Sequence, residues 1–126
     1  MHARLDIRDG IRLFRPAGPY TLVDAVEAIN DAIRQCRAQD AHWLLVDATA
    51  MTGLTQPTLV DRFLAVEEWA ETASGRVTVA LAIHADKIHP QKFGIKVAQH
   101  LGLVAEVFAD EAAALAWLRE RMADDA

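Results

Sequence analysis

Two stretches of this chain are apolar almost without interruption: Trp43-Leu44-Leu45-Val46-Asp47 and Val77-Thr78-Val79-Ala80-Leu81-Ala82-Ile83-His84. A strand that is apolar on both faces belongs inside a covered sheet, usually with parallel neighbours reached through helices. The segments around them carry helical spacing. Leu22, Val26, Ile29, Ile33 and Cys36 repeat after a Thr21/Asp24 capping pair, and that helix is expected to end near Gln39. Pro57 suits a first helical turn, and Leu59, Phe63, Val66 and Ala70 form a stripe flanked by Leu64 and Trp69. Ser74-Gly75 breaks that helix. Pro90 opens a third helix whose buried side is expected to be Phe93, Val97, Ala98 and Leu101, with Ile95 pointing outward and Gly102 as the stop. Leu103–Phe108 reads as a shorter strand, and Asp110 caps a last helix that turns Leu115, Leu118 and Met122 inward.

The start of the chain alternates. Ala3, Leu5 and Ile7 are separated by polar residues, as are Ile11 and Leu13 after Arg8-Asp9-Gly10. If the buried face sets the register, a three-residue loop with Gly10 left-handed pairs Ile7 with Ile11 and Leu5 with Leu13. Asp6 then faces Arg12 on the wet side. Pro16-Ala17-Gly18-Pro19 ends the hairpin. The predicted order is β-β-α-β-α-β-α-β-α: an α/β class, one domain over residues 1–126, with helices packed on a mixed five-stranded sheet.

That order, with several local signatures, resembles the STAS domain, the fold of bacterial anti-sigma-factor antagonists and of the cytoplasmic domains of sulfate transporters. The last third is similar to small anti-sigma-factor-antagonist-like (SpoIIAA-like) proteins. Pro90-Gln91-Lys92-Phe93-Gly94 matches their opening of the third helix. Val107-Phe108-Ala109-Asp110-Glu111 followed by Ala116-Trp117-Leu118 matches their ending. These are packing and capping residues, which speak for fold and not for chemistry. In the antagonists a serine beside a glycine, in an Asp-Ser-Ser-Gly-Leu context, accepts phosphate from a partner kinase. Met51-Thr52-Gly53-Leu54 is the matching segment, with Ala50 and Met51 where the family has an acidic residue and a serine. The resemblance thus implies Thr52 as phosphoacceptor and a regulatory protein partner. Read from the residues alone, Thr49, Thr52, Thr55 and Thr58 are loop and cap hydroxyls.

Composition narrows the function classes. At 126 residues with a single cysteine, the chain can build a core without disulfides or a multi-cysteine metal site. A net charge of −5 argues against nucleic-acid binding, which needs a basic face. No signal-type segment and no run long enough to cross a bilayer is evident, so the chain reads as soluble and cytoplasmic. The charge is uneven, however. All three lysines, Lys87, Lys92 and Lys96, fall between residues 84 and 100 together with His84, His89 and His100, giving that segment a formal +2.

Three constellations follow. Lys87, His89, Lys92 and Lys96 beside a helix start form a candidate anion site. Phe63, Phe93 and Val97 would wall an apolar slot between the second and third helices. His84, Asp86 and His89 have the donor types of a zinc or similar divalent site at the carboxyl end of a strand. Asp47 also ends a strand, but no serine or cysteine nucleophile, phosphate loop or second carboxylate accompanies it. The leading expectation is a non-enzymatic STAS-like regulatory or ligand-binding module without cofactor. Its target is a protein partner or a small amphipathic or anionic ligand, and a homodimer is compatible with so apolar a small domain. The alternatives are a metal-binding protein or metal-dependent enzyme using His84, Asp86 and His89, and a phospho-switch at Thr52.

Overall fold

The two apolar runs lie side by side and parallel in the middle of a sheet, in a computed structural model that describes residues 3–125. In chain order the elements are β1 (Asp6–Arg8), β2 (Ile11–Phe14), β3 (Gly18–Pro19), α1 (Leu22–Ala38), β4 (Trp43–Asp47) and β5 (Met51–Thr52). There follow α2 (Leu59–Ala73), β6 (Thr78–Ala82), a 3₁₀ turn (Ala85–Lys87), α3 (Phe93–His100), β7 (Ala105–Phe108) and α4 (Glu111–Asp125). The main sheet has the order β1-β2-β4-β6-β7, with β1 antiparallel to β2 and every other pair parallel. This is the predicted α/β class and five-stranded mixed sheet. A second piece, β3 paired in parallel with β5, was not predicted: two residues a side leave no periodic signal to read.

Each crossover from β2 through β4 and β6 to β7 steps the same way across the sheet. Right-handed crossovers in a constant direction must put their helices on one face. Leu44, Val46, Val77 and Val79 accordingly share a core with residues of α1, α2 and α3. Helix α4 returns alone over the other face, where Ala114 and Leu118 pack on Ile11, Leu13, Leu45, Ala80 and Ala82. One further detail matters for function. Helix α2 makes its main contacts with α1 and α3 rather than with the strands.

The hairpin departs from expectation. Ile7 pairs with Arg12, Arg8 with Ile11 and Asp6 with Leu13, across a two-residue Asp9-Gly10 turn. Both turn residues have positive φ, 52° and 83°, the type I′ geometry whose twist matches the flanking strands. Burial does not set this register because β1 is exposed along its whole length, with Ile7 66% exposed. Asp6 therefore misses Arg12 and lies 4.0 Å from Arg15 instead.

Helix starts shift as well. Thr58, not Pro57, begins α2, through a capping box in which Thr58 Oγ1 accepts from the Asp61 N–H and the Asp61 carboxylate accepts from the Thr58 N–H. Pro57 sits one residue outside. Helix α3 begins at Phe93 and not at Pro90, after a turn in which Lys92 takes a left-handed φ of 50°. Thr21 caps α1 and Asp110 accepts from the Ala113 N–H at the start of α4, both as predicted.

Candidate functional site

Because α2 rides on its neighbouring helices, a space of about 550 Å³ is left between it and the sheet. Val79 and Leu81 of β6, Ile83 beyond it, and Ala105 and Val107 of β7 form the floor. Ala65, Val66 and Trp69 of α2 with Gly94, Ile95 and Ala98 of α3 form the roof, and Leu22, Val26 and Ile29 of α1 close one side. The segments at the carboxyl ends of β4 and β6 bound the rest, as expected for a ligand cleft in an open α/β sheet. A concave, mainly aliphatic space of this size is within the range of small-molecule sites.

Local contacts hold the roof up. Trp69 Nε1 donates to the carbonyl of Val26 at 3.0 Å, tying α2 to α1. Helices α2 and α3 meet at Gly94, where a Cβ would lie 3.6 Å from Val66 Cγ2, an ordinary packing distance that does not require glycine. The small inward residues Ala65, Val66, Ala70 and Ala73 are what α2 buries. This rotates the helix relative to the predicted stripe. Leu59 and Phe63 join Val60 and Leu64 on an exposed apolar face, and Phe63 is 40% exposed.

The cavity lies between the sheet and helices α2 and α3, and the residues expected to wall a slot between those two helices are not its walls. Phe63, Phe93 and Val97 do not line the cavity; Phe93 and Val97 are half-buried on another side of α3, where Val97 packs against the core. Ile95, expected to point outward, lines it. Helix α3 turns its Gly94, Ile95 and Ala98 side to the cavity. Of the candidate anion ligands, Lys87, His89 and Lys92 border the cavity, whereas Lys96 is exposed elsewhere. Two of these cations already have partners: Lys92 Nζ is 3.0 Å from Glu106 on edge strand β7, and Lys87 Nζ is 3.9 Å from Asp86.

His84, Asp86 and His89 all border the cavity, yet they do not converge. Among the described residues no three His, Cys, Asp or Glu side chains are placed to hold one metal ion. His89 is occupied locally, its Nδ1 accepting from the Gln91 N–H at 3.1 Å, while its ring lies 6.2 Å from that of Phe93. Thr52 is exposed at the border of the cavity, with its carbonyl accepting from the Tyr20 N–H at 2.9 Å. Asp47 falls outside the site: strand alternation turns it to the α4 face, and its Oδ1 accepts from both the N–H and the hydroxyl of Thr49.

The residue that sequence reasoning missed is Arg62. It lines the cavity, and one of its Nη atoms donates to the carbonyl of Lys87 at 3.3 Å. A usable signal was present, since Arg62 is the single basic residue of α2 and lies at helical spacing with Ala65, Val66 and Trp69.

Compared with known proteins, the chain matches no family model and no curated protein sequence. No helix among the described residues is long and apolar enough to cross a membrane.

Proposed function

We propose that this chain is a STAS-like, non-enzymatic binding module that takes a small amphipathic molecule between its sheet and helices α2 and α3. The observation that carries this reading is the cavity itself: about 550 Å³, floored by Val79, Leu81, Ile83 and Val107, with ionisable side chains at its border. An aliphatic tail entering it leaves water at roughly 25 cal/mol per Å² of apolar surface. A polar head would stay among Arg62, Lys87 and His89. The non-enzymatic part rests on the lack of a recognisable nucleophile in the sequence and on Asp47 being engaged by Thr49 on the opposite face. The regulatory role that the STAS resemblance implies would then consist of a partner reading whether the cavity is filled.

Native mass spectrometry of freshly purified, untagged protein, followed by solvent extraction, tests this directly. The expected result is a bound small molecule that is released on denaturation. A protein that carries none, and whose melting temperature is unmoved by both an aliphatic acid and an aliphatic alcohol, would discard the reading.

A further inference from the structure

The charges around the cavity can be accounted for one by one. Lys87 has Asp86, and Lys92 has Glu106. The Asp61 carboxylate is engaged by the Thr58 N–H in the capping box. Arg62 is left over. No carboxylate among the described residues is in ion-pair range of it, its bond to the Lys87 carbonyl is long at 3.3 Å, and its Nε is shut off from solvent with no acceptor among the described residues. A buried donor without an acceptor is destabilising, and an arriving acceptor relieves it.

We infer that Arg62 reads the head group of the cavity's ligand and that this ligand is an aliphatic monocarboxylate; the inference rests on the binding role proposed above. The planar guanidinium offers parallel N–H groups matched to the two oxygens of a carboxylate, a geometry that a lysine ammonium cannot reproduce. Charge selects the class. One unpaired cation balances one negative charge, whereas a phosphate monoester carries about −1.5 to −2 near neutral pH and would bring uncompensated charge into a mainly aliphatic space. The tail is chosen by the floor, where Val79, Leu81, Ile83 and Val107 offer no hydrogen-bonding side chain. A small turn of the Arg62 side chain away from the Lys87 carbonyl brings the fork to the ligand and gives Nε its missing acceptor.

The test uses ligand-free protein titrated calorimetrically with octanoate, octan-1-ol and octyl phosphate, as wild type, Arg62→Gln and Arg62→Lys. Octanoate should bind wild type about tenfold or more tighter than octanol, the size of one charge-assisted hydrogen bond. Arg62→Gln should erase that preference by weakening octanoate far more than octanol, and Arg62→Lys should recover only part of it. Thermal melting without ligand supplies the control: Arg62→Gln removes an Nε that had no acceptor together with the long bond to the Lys87 carbonyl, so it should melt close to wild type. If it fails to fold, Arg62→Lys carries the test. Retention of the full octanoate preference in either variant, or tighter binding of octyl phosphate than of octanoate, overturns the inference and leaves the cavity's role standing. If wild type binds none of the three, the binding role falls, and this inference with it.

Discussion

Cys36 shows how one side chain reports on its surroundings. It is fully buried on the sheet side of α1, and burial pushes its thiol up to about 11 from 9.0, with Arg12 pulling weakly the other way. The folded protein therefore keeps a proton that the unfolded chain releases. Stability is unaffected by this group below pH 9 and declines as pH rises from about 9 to about 11. At about 1.4 kcal/mol per pH unit the whole effect is on the order of 2–3 kcal/mol. Urea unfolding of wild type and Cys36→Ala at pH 7, 9 and 10.5 isolates it: the stability difference between the two should narrow as pH rises. A difference constant with pH would refute the assignment. At the other extreme of exposure, Gly10 holds a φ of 83° in the hairpin turn. Gly10→Ala is expected to lower stability by about 1–2 kcal/mol, the cost of a left-handed non-glycine residue. The same urea titration at pH 7 measures it.

Among the elements, α2 is the unusual one. Its inner face is built of alanines, one valine, Trp69 and Arg62, while Leu59, Val60, Phe63 and Leu64 face outward. Helix formation in such a segment leans on its ends. Thr58→Ala breaks the capping box and should cost about 1 kcal/mol, read from the urea midpoint. Leu64→Gln, on the exposed side, should shift stability by no more than about 0.5 kcal/mol. A large loss from Leu64→Gln would mean that this face is covered in solution, and sedimentation would then reveal the self-association. Helix α3 contrasts with α2, because its start is set by the left-handed Lys92 and by the His89 ring accepting from Gln91.

For the whole molecule, the sheet separates a closed face from one that keeps a cavity. The α4 face is closed by Leu118, Ala114 and their neighbours, and the opposite face keeps a cavity under α2 and α3. The two should respond independently to substitution. Leu118→Ala is expected to cost about 2–5 kcal/mol by leaving a void, without altering ligand affinity. Ala105→Phe projects a ring from β7 into the cavity and should block octanoate binding while the protein melts no lower than wild type. Calorimetry and thermal melts on the two variants check both statements. Loss of binding from Leu118→Ala at a temperature where it remains folded would show that the faces are coupled.

How much of this was legible beforehand follows from the range of the forces involved. The two apolar runs, the helical repeats and the caps at Thr21 and Asp110 are decided within a few residues of chain, so the order of the helices and main-sheet strands and the central parallel pair could be read from residue pattern alone. The β1–β2 register could not, because it depended on whether β1 has a buried face at all. The rotation of α2 and α3 was also out of reach, since neighbours distant in sequence decide which side of a helix is covered; Phe63 and Ile95 exchanged their expected roles for that reason. The site was legible as a region and not as a set of residues. Local charge counting singled out the lysines, but only the folded chain pairs Lys92 with Glu106 and leaves Arg62 without a counter-ion among the described residues, because ion pairing is a property of space and not of sequence distance.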